Sequence, residues 1–482
     1  MACCSLLQFG PFLPFLLLST HFLSIHADHT DEPFDVRRHL STVTSYSSSK
    51  GPKNAALHTS TVPDGCAAIH LNLVARHGTR APTKKRIKEL NNLEGRFEVL
   101  LSDVKDDSKV PQWLYGWQSP WKGRVTGGEL VQKGEEELYQ LGIRVRERFP
   151  DLFSEDYNSE IYQIRATQVS RASASAVAFG IGLFSGRGNL GSGRQRAFSV
   201  ISESRGSDTC LRFFDTCETY KQFKRNEGPS LDKIKEPVFE EVKTELTKRY
   251  ELNFTREDIS SLWFLCKQEA TLLDITSQAC SLFKPAEVLL LEWTDDLEGF
   301  KLKGYGKAVN YRMGVPLLHD VIQSIEKAIG AKEENRTPGT FEKARLRFAH
   351  AETIVPFSCL LGLFLDGSEF EKIQREQPMQ LPPKPPQKRN WKGNSVAPFA
   401  GNNMLVLYSC TANHSKSKYF VQVLHNEVPV SLPGCDNKDF CPFEVFKEKI
   451  VEPHLKHDFI STCSPEFDVT SKTCSISCFF FP

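Results

Sequence analysis

Twice along this 482-residue chain an alternating apolar run ends abruptly at a histidine, and that recurrence narrows the fold more than any other feature. Ile69, Leu71 and Leu73 fall at the two-residue period of a strand within Ala67–Ala75. The run stops at Arg76-His77-Gly78, where glycine permits a tight turn and close approach of a ligand to backbone. The segment Ala344–Ala349 alternates in the same way and stops at His350. Thr353 through Leu365 then reads as a helix, with Pro356 in its first turn and Gly367 past its end. Between these strands, Leu138, Leu141, Val145 and Phe149 recur at helical spacing within residues 129–148. A short strand at Ile161–Arg165 precedes a second helix, capped by Thr167 or Ser170, whose stripe is Ala172, Ala176, Phe179 and Leu183. Strands alternating with helices predict an α/β fold: a mostly parallel-sheet core with helices on both faces. Ligands bind such sheets beyond the carboxyl ends of the strands, so His77 and His350 are expected on one edge.

Residues 205–335 are charge-rich, with helical runs and few strand signals, and predict an inserted α-helical cap. The α/β core is thereby divided into residues 61–204 and 336–482. Met404–Cys410 and Tyr419–Leu424 supply further strands, and the Pro-rich stretch Pro378–Pro386 a surface loop. Residues 28–60 are polar, Ser/Thr-rich and aperiodic, which predicts a flexible lead-in. Before them, an apolar run from Leu6 to Ile25 is interrupted by Pro11, Pro14 and His21 and ends at Ala27. Residues 1–27 read as a secretory signal peptide, and no later stretch is apolar enough to span a bilayer. Twelve of the fourteen cysteines lie beyond that segment, an even number suited to pairing in an oxidising compartment. Cys435 with Cys441, Cys266 with Cys280, and Cys210 with Cys217 are plausible local pairs. No cysteine and histidine spacing matches a zinc site, so structural disulfides are favoured over metal. Sequons at Asn253, Asn335 and Asn413 fit glycosylation in the same secretory route.

The formal net charge is +1, so no global field draws nucleic acid or membrane, and any anion site must be built from locally clustered bases. Arg76-His77-Gly78-Thr79-Arg80-Ala81-Pro82 is such a cluster, set where a strand meets a turn. A neutral imidazole can approach a phosphoryl group without adding charge, and the guanidinium forks of Arg76 and Arg80 match phosphate oxygens. Taken alone, the segment also fits two solvated arginines around a structural histidine. Arg171 opens the helix after the second strand and could complete a three-arginine cradle. In His350-Ala351-Glu352, His350 can donate to a phosphoryl oxygen. Glu352 can protonate a leaving alkoxide and later deprotonate the attacking water. A helix N-terminus lowers a carboxyl pKa, whereas a bound phosphate dianion pushes it back up.

These residues resemble a known family. Arg76-His77-Gly78-Thr79-Arg80-Ala81-Pro82 resembles the R-H-G-x-R-x-P signature of the histidine acid phosphatase branch of the histidine phosphatases. His350-Ala351-Glu352 looks like the H-A-E variant of the multiple inositol polyphosphate phosphatases, which attack phytate. Gly128–Gly134, Gly304-Tyr305-Gly306 with Asn310-Tyr311-Arg312, and Pro398–Asn403 extend the similarity over roughly residues 66–448. The resemblance implies His77 as nucleophile, Arg76, Arg80 and Arg171 as phosphate ligands, His350 as phosphoryl stabiliser and Glu352 as proton donor. It also implies an α/β core with a helical cap, no metal or organic cofactor, and a Cys66–Cys410 bond tying the first strand to a late one. Ala81 stands where relatives often carry a tyrosine. The C-terminal Phe479-Phe480-Phe481-Pro482 lacks an ER-retention tetrapeptide, which points to export or to a vacuole or lysosome. Inositol polyphosphates need bases beyond the reacting phosphate; Lys84, Lys85 and Lys303 are candidates, against the alternative of a solvated charged face. The expected partner is therefore a small phosphorylated molecule, with neither nucleic acid nor membrane. Two other functions stay open: a broad acid phosphatase or bisphosphoglycerate phosphatase, and an inactive secreted glycoprotein that binds anions.

Overall fold

Strand β1 (Cys66–Arg76) becomes fully buried from His70 onward and carries apolar residues on both faces, so it can only be an interior strand of a covered sheet. The computed structural model describes residues 33–50, 62–102, 104, 106–411 and 417–464. The signal segment 1–27 and the Asn413 sequon lie outside these described residues. Residues from Asp35 onward belong to one compact unit. Its sheet contains β2 (Tyr162–Ala166), β3 (Ala344–Ala349), β4 (Asn402–Cys410), β5 (Tyr419–His425), β6 (Val428–Pro429) and β7 (Phe440–Pro442). The order is β2-β3-β1-β4-β5-β6, with β7 also on β5. Strands β2, β3 and β1 run parallel, and β4 to β7 continue the sheet antiparallel from β1.

Alternation along the strands divides the core. Leu71, Leu73 and Ala75, with Leu346 and Phe348, pack against helices Gln132–Arg148 and Ser170–Phe184 through Leu138, Leu141, Ala176 and Phe179. The opposite face, with Val74, Leu405 and Val423, meets Leu317, Val321 and Ile325 of Val315–Glu333 and Ile354 of Ala351–Leu360. The α/β core with helices on both faces is therefore present. Fully burying each of these Leu, Val, Ile and Phe side chains contributes about 1.5–3 kcal/mol. A third apolar cluster contains no strand residue and is built mainly from Lys84–Asn91, Leu93–Leu101, Glu218–Tyr250, Arg256–Gln268 and Pro285–Lys303.

That helical cluster does not coincide with residues 205–335. It draws on Leu40 and on two longer stretches, about 87–121 and 231–302, whereas the Val315–Glu333 helix packs on the sheet because its apolar stripe faces β1. The helix after His350 begins at Ala351, with His350 as its N-cap, so Pro356 lies inside the helix instead of in its first turn. It ends at Leu360, where Gly362 at φ +72 turns the chain; Gly367 opens the next helix. Residues 35–50 are also more structured than their composition suggests. They form two short 3-10 turns and the helix Tyr46–Lys50. Polar bonds hold them where no apolar periodicity could announce it. Ser41 Oγ donates to Asp296 Oδ1 at 2.8 Å, Thr271 Oγ1 to Val43 O at 3.0 Å, and Tyr46 N to Glu137 Oε1 at 2.9 Å.

Disulfides join Cys66–Cys410, Cys266–Cys280 and Cys435–Cys441. Cys217 pairs with Cys463, 246 residues away, and not with Cys210, whose thiol is free. The cause is tertiary: Cys217 caps the Glu218–Tyr250 helix, which packs against the helix Phe459–Cys463. Asn253 and Asn335 are both exposed. No helix among the described residues is long and apolar enough to cross a membrane.

Candidate active site

The β1 and β3 carboxyl ends adjoin, and His77 N donates to Ala349 O at 3.0 Å, so the two histidine-terminated strands deliver their side chains to one place. The turn after β1 is locked by its surroundings. A Cβ on Gly78 would lie 2.2 Å from Gly134 O, and one on Gly134 would lie 2.2 Å from Thr79 O, so neither glycine admits a side chain. Buried Glu137 accepts from Thr79 N at 2.8 Å and from Thr79 Oγ1 at 2.9 Å. Ser175 Oγ accepts from Gly78 N at 3.1 Å and donates to Arg171 O at 2.8 Å. Ala400 N donates to His77 O at 3.0 Å, so the Pro398–Asn403 motif backs the same turn.

His77 is 3% exposed, and its Nδ1 lies 2.9 Å from Gly78 O. A carbonyl only accepts, so Nδ1 carries the proton and Nε2 keeps its lone pair. Burial first, then Arg76, His350, Arg171 and Arg80, hold the imidazole well below its ordinary pKa, so it is neutral. Its ring centroid is 5.5 Å from that of His350 and 5.9 Å from that of Phe399.

A cavity of about 290 Å³ opens beside this ring, lined by Arg76, His77, Arg80, Arg171, Lys303, Glu352 and Phe399, with Thr42, Arg86, Phe264 and Gln268 among the outer walls. Arg76 Nη1 donates to Thr42 O at 2.5 Å and Ala397 O at 2.7 Å, and its guanidinium lies 4.3 Å over the Phe399 ring. Arg80 Nη1 donates to Ala81 O at 2.8 Å. Burial and mutual repulsion push Arg76 and Arg171 below the usual arginine range. Three cations gathered with so little local anion define a site that an anion stabilises.

His350 Nδ1 lies 3.2 Å from Arg171 Nη2, while Nε2 lies 2.9 Å from Thr167 Oγ1 and 3.1 Å from Arg212 Nη1. Burial, then the Arg171 charge, pushes His350 down to about 3. Glu352 forms an ion pair with Lys303, Oε1 to Nζ 2.9 Å. Burial alone would raise this carboxyl, but Lys303, His350 and the backbone amide at the helix start outweigh it and hold it well below the carboxylate range. Lys303 itself is positioned by the Gly304–Gly306 and Asn310 motif: Asn310 Nδ2 donates to Lys301 O and Gly304 O, each at 3.0 Å.

The cavity therefore gathers His77, Arg76, Arg80, Arg171, Lys303 and Glu352, with His350 against Arg171. Lys84 and Lys85 sit exposed at the start of the Lys84–Asn91 helix and do not line it. One helical step further, Arg86 does line the cavity, 4.7 Å over the Phe264 ring, while half-exposed and paired with Glu89, Nη1 to Oε2 2.6 Å. The helix start after Pro82 decides which base reaches the cavity, and a basic run read without that register cannot. Arg212, Glu137 and Thr42 were not legible as site residues. Arg212 lies far from every histidine in sequence, and Thr42 acts through its carbonyl.

A strand-end histidine with a free Nε2 inside an arginine cradle defines a phosphoryl-handling α/β protein. The model of the histidine phosphatase superfamily (branch 2) matches residues 69–426, and the chain belongs to that family. It is 28% identical over 442 residues to multiple inositol polyphosphate phosphatase 1 of Dictyostelium discoideum, covering 80% of this chain and 66% of that protein. It is 29% identical to the Gallus gallus protein of the same name, covering 79% of this chain and 80% of that one. Among solved structures, the phytase from D. castellii superimposes with a TM-score of 0.67 at 17% identity, covering 93% and 92% of the two chains. Multiple inositol polyphosphate phosphatase of Bifidobacterium longum, in complex with inositol hexasulfate, superimposes with a TM-score of 0.63 at 18% identity, covering 86% and 98%.

Proposed function

We propose that this chain is a secretory-pathway phosphomonoesterase that hydrolyses inositol polyphosphates such as phytate through a phosphohistidine on His77. The observation that carries the proposal is the unprotonated Nε2 of a buried neutral imidazole facing a cavity walled by Arg76, Arg80 and Arg171. In the first step Nε2 forms a bond to phosphorus as the ester P–O bond breaks, and the leaving alkoxide takes a proton from Glu352. In the second, Glu352 takes a proton from water, whose oxygen attacks phosphorus, and the N–P bond breaks to return neutral His77 and phosphate. The three guanidiniums offset charge on the equatorial oxygens, and His350 donates one further hydrogen bond.

The substrate class follows from charge beyond the reacting centre. Lys303 and Arg86 also line the cavity, each paired with a carboxylate of the chain, Glu352 and Glu89, that a further phosphate of the substrate can displace. A second phosphate on the same ring would compete with Glu352 for Lys303. Losing that partner lets the carboxyl rise and hold the proton that the first step requires. Turnover of phytate should exceed that of a small aryl phosphate in kcat/KM by about tenfold or more, corresponding to about 1.4 kcal/mol of added recognition. Equal values would favour a broad acid phosphatase. No phosphate release from either, with anion binding retained, would identify an inactive anion-binding protein. The disulfides and the apolar leader are the support for passage through an oxidising compartment.

The Lys303–Glu352 pair makes a pH prediction. In the free protein only the protonated carboxyl can serve as acid, so kcat/KM falls as pH rises through the Glu352 pKa. Lys303→Met removes the leading charge that depresses this pKa. The fall should therefore move to higher pH when measured with a small alkyl phosphate, whose basic leaving group needs the proton, while KM for phytate worsens. An unmoved profile would exclude Glu352 as the titrating acid.

A further inference from the structure

We propose that Arg212 is a positioning residue that fixes the tautomer of His350, keeping the proton on Nδ1 so that this N–H and Arg171 converge on the same phosphoryl oxygen. The inference rests on the phosphoryl-transfer reading of the cavity and concerns a residue outside its lining.

His350 is neutral, so one ring nitrogen accepts and the other donates. Three groups contest the choice. Thr167 Oγ1, 2.9 Å from Nε2, accommodates either tautomer because a hydroxyl both donates and accepts. Arg212 Nη1, 3.1 Å from the same Nε2, can only donate and so requires a lone pair there. Arg171 Nη2, 3.2 Å from Nδ1, makes the opposite demand. The two distances are too close to decide, but the freedom of the two arginines is not equal. Arg212 is 4% exposed, is bound to the Asp215 carboxylate and lies 5.2 Å over the Phe214 ring, which in turn meets the His350 ring at an interplanar angle of 85°. Its turn is tied down as well: Leu211 N donates to Asp208 Oδ1 at 2.7 Å, and Thr353 Oγ1 donates to Leu211 O at 2.8 Å. Arg171 lines the open cavity and is half-buried, so it can move to an anion.

With the proton on Nδ1, the ring N–H and the Arg171 guanidinium are two donors side by side with no acceptor between them. A phosphoryl oxygen supplies that acceptor. With the proton on Nε2, the ring would set an N–H against the locked Arg212 and offer the anion a lone pair, which repels it. The tautomer therefore decides whether His350 assists or opposes phosphoryl binding, and the locked partner decides the tautomer.

Histidine-selective 15N NMR of the wild-type protein with saturating inorganic phosphate, assigned against His350→Asn, reads this directly. The expected spectrum has protonated Nδ1 and unprotonated Nε2; the reverse pattern overturns the proposal without requiring any Arg212 variant to fold. Kinetics give the second readout. Arg212→Met should lower kcat on phytate about 10²-fold, as for loss of one transition-state donor. His350→Asn, whose amide occupies the Nδ1 position, should retain more kcat than His350→Gln, whose amide occupies the Nε2 position. An amide has no tautomer to fix. Adding Arg212→Met to His350→Asn should therefore leave kcat within about twofold of His350→Asn alone; a full second loss would refute the positioning role. If wild type releases no phosphate at all, the catalytic reading fails, while the NMR result still reports the tautomer.

Discussion

His77→Ala is expected to abolish phosphate release from phytate, with a loss of about 10⁶-fold in kcat, the scale seen when a covalent nucleophile is removed. That corresponds to about 8 kcal/mol of barrier. The substitution removes the one ring among the described residues whose lone pair opens on the arginine cradle. His350, 5.5 Å away by centroid, cannot take over, because Arg171 and Arg212 flank its two nitrogens. Folding should survive. The main-chain bonds of residue 77, N to Ala349 O and O to Ala400 N, persist in the alanine variant, and the Gly78–Gly134 approach does not involve the imidazole. Inorganic phosphate should still bind, since Arg76, Arg80 and Arg171 remain. Rapid quench of the wild type with labelled ester should trap acid-labile label on histidine, and the variant should trap none. Normal hydrolysis without labelled histidine would refute covalent catalysis.

The pair of histidine-terminated strands was legible because its signal is local. Alternation at Ile69, Leu71 and Leu73 and again along Ala344–Ala349 reports strands with one face in each layer, and a histidine at each end reports the shared edge. The arginines were legible because they adjoin those ends or open the next helix. What stayed hidden depends on register or on distant pairing. Lys84 and Lys85 against Arg86 is a question of about 100° per residue on a helix whose start the sequence leaves uncertain. Residues 35–50 are held by single polar bonds, such as Ser41 to Asp296 and Tyr46 to Glu137, that leave no periodic trace. Cys217 finds Cys463 because two helices pack, and its near neighbour Cys210 is left free. The helical layer draws on two segments for the same reason: Ile87, Leu90 and Phe97 complete the apolar cluster that Leu262, Leu291 and Leu297 begin.

Glu352→Gln separates the two chemical steps. The amide keeps the shape of the carboxyl and its place at the start of the Ala351–Leu360 helix, but it can neither give nor take a proton. Loss of general acid–base assistance costs about 10²–10⁴-fold per step. The steps differ in how much they need it. An aryl phosphate with an acidic leaving group departs without protonation, so phosphorylation of His77 should proceed nearly unhindered. Attack by water on the phosphohistidine has no such relief and should slow by the full factor. The variant should therefore release one equivalent of aryl alcohol in a burst and then stall, with phosphate held on the enzyme. On phytate, whose alkoxide leaving group is basic, both steps need the proton and no burst should appear. Lys303 sharpens the expectation. In the free protein it pairs with the carboxylate, and against a neutral amide it becomes an unpaired cation at the cavity wall. Phytate should then bind the variant more tightly than it binds the wild type, even as turnover collapses. Weaker binding together with a burst on phytate would mean that the acid for the first step is some group other than Glu352.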